Sequence, residues 1–289
     1  MTLIAILLGL LSEYFVGQLH RLRRYTLLQE YATRVREFLG GGIWEGHAGA
    51  ILILLPLVLV TAWLQSWLND GFLGLPGLLF SVVVLIYCLG PRDLKDDVEQ
   101  YRAAMLKDDA GLAVHLAEEL LDTVPPEDPE QQAAMVLRAI LTQAHVRLFG
   151  VLFWFILLGP TGAILFRATQ LLTALPDEYQ GQFSAAAEQI LAVLAWPSTR
   201  LVALGYALSG HFESAIEGWR HHLVQAGHFE RQPELLLASV GIGALDVADR
   251  PALDIDWYEI LHGAMRLVWR TLILWVFVVA LATFAGWIA

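Results

Sequence analysis

The stretch that decides the fold lies at residues 47–68 and reads HAGAILILLPLVLVTAWLQSWL. It carries no Asp, Glu, Lys or Arg. About 20 consecutive apolar residues in a helix are enough to cross the ~30 Å hydrocarbon core of a bilayer. The stretch therefore predicts a transmembrane helix.

Further apolar stretches along the chain, taken with residues 47–68, predict about six membrane-embedded helices. The chain is 57% hydrophobic and 16% charged, whereas soluble domains average about 45–50% apolar and about 25% charged residues. We expect an all-α polytopic membrane protein that forms a single membrane domain over residues 1–289, with helices between its spans on the cytoplasmic side. The other stretches lie at 2–19, 72–90, 149–172, 189–209 and 267–287.

Two of these stretches differ from a simple internal span. Residues 189–209 contain Pro197 and Arg200, which predict a broken or re-entrant helix, because membranes tolerate an interrupted helix only where protein or water satisfies its backbone. The stretch at 2–19 has no basic residues before it and no small-residue cleavage site after it. It is therefore expected to be a retained first span and not a signal peptide.

The 18 Lys and Arg residues are distributed unevenly between alternate connections. Five lie in 20–46, six in 91–148 and four in 210–266, whereas 69–71 and 173–188 contain none. The positive-inside rule places the basic connections in the cytoplasm. We expect a multi-pass protein of the bacterial inner membrane, with its charged loops cytoplasmic and both termini on the other side.

Two of the cytoplasmic segments show helical patterns. Residues 20–39 have apolar positions at helical spacing, which fits either an amphipathic helix on the inner leaflet or a helix packed on the protein itself. Residues 91–148 predict two helices broken at Pro125-Pro126, and a third helix that runs directly into the next span. The acidic pairs in this segment are typical of a solvated face.

Several classes of protein are excluded by composition and motifs. A net charge of −11 argues against a nucleic-acid partner, which would require a basic face. Cys88 is the single cysteine, so neither an intrachain disulfide nor a cysteine metal site is expected. The two lysines, Lys95 and Lys107, lie outside glycine-rich loops, and no His-Glu-x-x-His or Gly-x-Ser-x-Gly occurs. We predict no catalytic residue, metal or cofactor.

The candidate chemistry lies in ionisable residues inside apolar stretches, namely Glu13, Arg167 and Arg200. A charge at the bilayer centre costs about 2.5–3.5 kcal/mol even on lenient scales, so it normally faces a partner inside the protein. One interpretation is an intramembrane polar pocket that binds an anionic small molecule, with arginine as a fork for phosphate or carboxylate. The alternative is a structural ion pair, or a snorkelling Arg167.

The central part of the chain resembles a known family. Phe153-Trp154, Leu158-Gly159-Pro160-Thr161-Gly162-Ala163 and Phe166-Arg167 resemble the Phe-Trp…Gly-Pro-x-Gly-Ala…Tyr-Arg segment of the AmpE family and of its relatives CobD and CbiB. Two further segments are similar to AmpE. They are Trp196-Pro197 with Arg200-Leu201 and Gly210-His211-Phe212, and Leu89 to Leu94.

The resemblance implies two alternative functions. AmpE-like proteins are inner-membrane proteins associated with control of the AmpC β-lactamase, alongside the AmpD amidase, which implies a regulatory role linked to cell-wall recycling. CobD and CbiB are synthases that attach an aminopropanol, or its phosphate, to adenosylcobyric acid with ATP. A transporter is disfavoured, because the two halves show no convincing repeat.

Departures from the family pattern favour the AmpE branch over an enzyme. The synthases carry a Glu-Asn-x-x-Asp pattern where this chain reads Ala144-His145-Val146-Arg147-Leu148, and their Gly-Arg-Asp-Thr element is missing. An ATP-dependent ligation needs a carboxylate or metal to organise phosphates. The oligomeric state does not follow from the sequence. The full set of ligand-binding candidates also includes residues of the segments that resemble the family. The set is Glu13, Arg167, Arg200, Trp154, His145, Arg147, Arg92 and Asp93.

Overall fold

The computed structural model describes most of the chain and shows helices as its regular elements. In the described ranges no strand occurs, which confirms the all-α fold class. Of residues 13–15, 69 and 222–225 the backbone alone is described. The described residues are 2–15, 30–35, 46–69, 74–89, 94–107, 109–121, 123–175, 181–225, 233–247 and 256–286.

The described residues form twelve α-helices. A π turn at His145–Phe149 joins α6 to α7, and residues 30–35 form a further helical segment. The helices are α1 (Thr2–Phe15), α2 (His47–Asn69), α3 (Leu75–Cys88), α4 (Leu94–Leu106), α5 (Ala110–Leu121), α6 (Pro129–Ala144), α7 (Gly150–Leu158), α8 (Pro160–Thr173), α9 (Gln182–Ser209), α10 (Phe212–Gln225), α11 (Pro233–Ala244) and α12 (Trp257–Phe284).

The chain divides into two compact units. The first unit is made of Met1–Pro91, Gly150–Trp196 and Val279–Ala289. The second unit is made of Arg92–Phe149 and Pro197–Val278.

Among the described residues, four helical stretches are long and apolar enough to cross a membrane. They are His47–Leu68, Pro129–Leu158, Gln182–Ser209 and Trp257–Phe284. Three shorter apolar helices lie at Thr2–Ser12, Leu75–Cys88 and Pro233–Ala244. This set of helices is that of an all-α membrane protein.

The prediction of a single span at 149–172 is wrong, because this stretch folds into two helices. Gly159 lies between α7 and α8 and has φ 67° and ψ −153°, a backbone conformation that glycine adopts without the strain a side chain would add. The ring of Phe166 lies directly against Gly150, whereas a continuous helix would hold positions 150 and 166 roughly 24 Å apart. Helices α7 and α8 therefore form a hairpin.

The expectation of a broken helix at 189–209 is also wrong. Helix α9 runs without interruption from Gln182 to Ser209 with Pro197 inside it. Proline removes one backbone donor and crowds the preceding turn. Membrane helices tolerate this, because neighbouring side chains can satisfy the groups that proline leaves free.

The helical segment at 30–35 packs on the first unit. Ala32 is fully buried in a cluster that includes Ile53 of α2 and Leu172 of α8. The opposite face is charged, and Arg34 on that face pairs with Glu30 at 3.6 Å. The described part of the amphipathic helix thus covers the protein's own core with its apolar side.

Helices α10 and α11 of the second unit pack backbone to backbone. A Cβ atom on Gly218 would lie 2.5 Å from the carbonyl oxygen of Ser239, and Gly243 lies against the carbonyl of Ser214 in the same way. These two pairs have the register of an antiparallel helix pair. The sequence showed little usable periodicity in 210–266, so this apolar, buried α11 was not predicted.

Candidate functional site

Arg167 lies on α8 and is buried within the first unit. Its side chain is 4% exposed, so it does not extend toward lipid headgroups at the surface of this unit. Its guanidinium donates a hydrogen bond to the side-chain oxygen of Gln170, one turn further along the helix. The structure therefore places this predicted residue inside protein, as the cost of an ion in hydrocarbon requires.

The turn that positions α8 is held by a glutamine of α2. The side-chain oxygen of Gln65 accepts from the backbone N–H of Thr161 at 3.2 Å and from its hydroxyl at 2.7 Å. Its amide nitrogen reaches the carbonyl oxygen of Leu158 at 3.4 Å. Gln65 thereby caps the start of α8, where helix N–H groups otherwise lack partners.

Trp154, another predicted site residue, has a structural contact within the first unit. Its indole N–H donates to the carbonyl oxygen of Leu194 at 3.0 Å. Leu194 lies three residues before Pro197, in the turn of α9 where the proline interrupts the hydrogen-bond ladder. Trp154 therefore links α7 to the weakened part of α9.

His145 is buried in the second unit, in the π turn. Its Nε2 atom lies 2.8 Å from the hydroxyl of Ser198 and 3.4 Å from that of Thr199. The donor and acceptor roles depend on the histidine tautomer. The π turn is a departure from α-helical geometry that often marks functional sites.

The π turn is also fixed by an aromatic group from α9. The hydroxyl of Tyr206 donates to the carbonyl oxygen of Leu141 at 2.9 Å, and the Tyr206 ring meets Phe149 edge to face with centroids 6.5 Å apart. The N–H of His145 bonds to the carbonyl of Thr142. Tyr206 of α9 thus contacts α6 about one turn before the π turn and Phe149 at the end of the π turn.

Arg147 points to a different neighbour. Its Nη1 atom lies 3.2 Å from Oδ2 of Asp97 on α4, with both side chains about one-fifth exposed. Arg200 is half-buried on α9, directly after Ser198 and Thr199. The second unit therefore places His145 beside the two residues that precede Arg200, while Arg147 is paired with an acid.

The predicted pairing of Glu13 with Arg167 or Arg200 stays a prediction. Arg167 belongs to the first unit and Arg200 to the second. The side chain of Glu13 lies outside the described residues, and so do Arg92 and Asp93. In the part of the chain that the structure describes, no group of three His, Cys, Asp or Glu residues is arranged to hold a metal ion.

Several polar residues of these sites were not singled out from the sequence. They are uncharged residues in apolar helices, Gln65, Gln170, Ser198 and Thr199, together with Asp97 among the acids of 91–148. Two signals could have identified some of them, namely a glutamine inside an apolar run and two hydroxyls directly after Trp196-Pro197. An uncharged polar group in a membrane helix usually hydrogen-bonds across to a neighbour.

The apolar helices and the buried basic side chains together define an all-α membrane protein with polar sites inside its units. The chain belongs to the AmpE family, since residues 1–288 match the family model described as regulatory signalling modulator protein AmpE. The match covers nearly all of the chain, as the resemblance of the motifs implied.

Individual relatives come from two groups of proteins. The chain is 29% identical to cobalamin biosynthesis protein CobD of Chromobacterium violaceum, over 80% of this chain and 77% of that protein. It is 27% identical to cobalamin biosynthesis protein CobD of Stutzerimonas stutzeri, over 97% and 96% of the two chains. It is 26% identical to protein AmpE of Shigella flexneri, over 78% and 81%. No solved structure matches the chain significantly.

Proposed function

We propose that this protein is a regulatory signalling component of the bacterial inner membrane, linked to β-lactamase induction and cell-wall recycling. The proposal includes multi-pass topology with the charged loops in the cytoplasm, which the distribution of Lys and Arg supports. It also includes an anionic ligand, bound in a polar pocket within the membrane. The family match supports the regulatory role.

The observation that carries the proposal is the chemistry of the π turn. The synthase pattern calls for carboxylates in this part of the chain, where His145 and Arg147 stand instead. His145 is within hydrogen-bond distance of Ser198, and Arg147 is paired with Asp97. An imidazole and a guanidinium do not supply the anionic oxygens that Mg²⁺ and nucleotide phosphates need. These residues favour a binding or regulatory protein.

The anionic character of the ligand follows from the arginines. Arg167 is buried in an apolar unit, and a guanidinium keeps its charge and presents a planar fork that matches carboxylate or phosphate. Arg200 adds a second guanidinium in helix α9, which is long and apolar enough to cross a membrane. We propose that each arginine contributes to the binding of an anionic group, with Glu13 as a charge partner of one of them in the absence of ligand.

A direct test compares β-lactamase induction in cells that carry Arg167→Gln, Arg200→Ala or the unaltered protein at equal membrane abundance. Arg34→Ala is the matched control, because that arginine is 78% exposed and its ion pair is with the neighbouring turn of the same helix. We expect the two buried-site variants to reduce induction several-fold and the control to leave it unchanged. Normal induction by both variants would remove the arginines from the proposed site.

A second candidate function is an amide-forming membrane enzyme of the cobalamin type. The two CobD relatives at 29% and 27% identity favour it. Calorimetry on the purified protein with ATP and with adenosylcobyric acid distinguishes the two functions. The regulatory proposal expects no heat of binding for either compound, whereas saturable binding of both would favour the enzyme.

A further inference from the structure

Two tryptophans form an exposed aromatic pair near the end of α2. Trp63 is 67% and Trp67 is 63% exposed, and their rings stack with centroids 6.2 Å apart and planes 2° apart. They lie on the helix that carries the most apolar of the candidate membrane spans. Tryptophan is enriched where hydrocarbon meets lipid headgroups, because its ring is apolar and its N–H is polar.

The length of α2 fits a bilayer boundary at this pair. A helix rises 1.5 Å per residue, so His47 and Trp67 lie roughly 30 Å apart along the axis, which is about the thickness of the hydrocarbon core. His47 at the opposite end is polar and hydrogen-bonds Gln189 at 2.8 Å. The residues between them include exposed apolar side chains such as Leu55 and Leu59. One boundary thus falls at the tryptophan pair and the other near His47.

The turn between α7 and α8 lies at the level of the tryptophan pair. Gln65, which lies between Trp63 and Trp67 in the sequence, bonds to Leu158 and Thr161 on the two sides of Gly159. At the other end of α8, Leu172 is in one cluster with Ile53 near the start of α2. Helix α8 therefore runs antiparallel to α2, from the tryptophan level back into the unit.

We infer that the α7–α8 turn lies in the lipid headgroup layer marked by Trp63 and Trp67, and that α8 returns from this layer toward the boundary near His47. The 14 residues of α8 span roughly 21 Å, which is shorter than the ~30 Å hydrocarbon core. A lipid surface is the partner that this aromatic pair fits, since both rings are exposed on a span-length helix. The inference goes beyond the proposed function and does not depend on it.

The inference has a clear alternative, in which the α7–α8 turn lies deeper in the bilayer and Leu158 is near the middle of the membrane. Cysteine labelling separates the two arrangements. In a Cys88→Ala background, three single-cysteine variants are made at exposed positions, Leu158→Cys, Ser66→Cys and Leu55→Cys. Leu158 and Leu55 are matched, being 47% and 51% exposed.

Each variant is treated with a membrane-impermeant maleimide in spheroplasts and in inverted vesicles. We expect the cysteines at 158 and 66 to react in the same preparation, while the cysteine at 55 reacts only after denaturation. Labelling after denaturation also confirms that each variant is present in equal amount. An unreactive Leu158→Cys, behaving like Leu55→Cys, would overturn the inference.

Spin labels on the same cysteines provide a second measurement that does not need maleimide access. Power saturation in the presence of oxygen and of a water-soluble nickel complex reports the depth of each label in reconstituted bilayers. The label at 158 is expected at the depth of the label at 66. A depth equal to that of the label at 55 would contradict a turn in the headgroup layer.

Discussion

Replacing Gly218 with alanine is expected to destabilise the protein, because α10 and α11 meet there at the backbone. The new Cβ would lie 2.5 Å from the Ser239 carbonyl oxygen, whereas carbon–oxygen approaches in proteins are about 3.3–3.6 Å. The two helices would have to separate locally by roughly 1 Å. Overpacking costs about 1–3 kcal/mol, and the gain in helix propensity returns about 0.5–1 kcal/mol. We expect a net loss of about 1–2 kcal/mol in the free energy of unfolding.

The matched control is Gly111→Ala on α5. Its new Cβ would have Asp109 Oδ1 as nearest neighbour, at 3.8 Å, an ordinary contact. Without a clash, alanine in a helix is worth about 0.5–1 kcal/mol over glycine. Thermal unfolding of the two purified variants in one detergent should therefore shift Tm in opposite directions. A Gly218→Ala protein at least as stable as the unaltered one would refute the close approach of α10 and α11.

Three other variants test contacts of the second unit by the same unfolding assay. Tyr206→Phe should cost about 1–3 kcal/mol, because the buried Leu141 carbonyl loses the hydroxyl that bonds it; an unchanged Tm would contradict that contact. Arg147→Ala should lower the free energy of unfolding by about 1.5–3 kcal/mol, because the charged hydrogen bond to Asp97 is lost. A loss below about 1 kcal/mol, which is typical of solvent-exposed ion pairs, would refute this contribution. Burial raises the pKa of Tyr101 to about 12. Between about pH 10 and pH 12 the phenol therefore ionises in the unfolded chain before it does so in the folded chain, and the free energy of unfolding falls as pH rises. Tyr101→Phe should lose less stability across that window, and an identical pH profile would oppose the assignment.

The fold class could be predicted from sequence because hydrocarbon thickness imposes a length on apolar runs. Residues 47–68 coincide with α2, and 267–287 overlaps the end of α12. These runs need no knowledge of tertiary contacts. The lengths of α9 and α12 were underestimated, since both helices extend into polar residues at their N-terminal ends.

The two errors in the fold both concern proline. Pro160 follows a glycine with positive φ and starts a new helix, whereas Pro197 lies within a continuous one. Both prolines lie inside long apolar stretches, so the presence of a proline in such a stretch does not separate a turn from a tolerated interruption. The difference lies in the residue before the proline, because glycine can adopt the conformation that reverses the chain and Trp196 is not suited to it.

The candidate site was predicted as far as charge allows. Arg167 was identified because an ion in an apolar helix is costly, and it is buried in the structure. Its partner Gln170 was not identified, because an uncharged amide in the same helix carries a weaker signal. The contact between His145 and Ser198 joins positions 53 residues apart, and only the packing of α9 brings them together.

The glycines of the Gly-Pro-x-Gly-Ala motif have folding roles. Gly159 supplies the positive φ of the turn. Gly162 lies against the carbonyl of Trp154, where a side chain would hold α7 and α8 apart. Because the tight hairpin is what places Arg167 within the unit, roughly 10 Å along α8 from the turn, the motif determines where that guanidinium lies. We therefore expect substitution at Gly162 to disrupt the hairpin itself, which the thermal-unfolding assay would detect as a lower Tm.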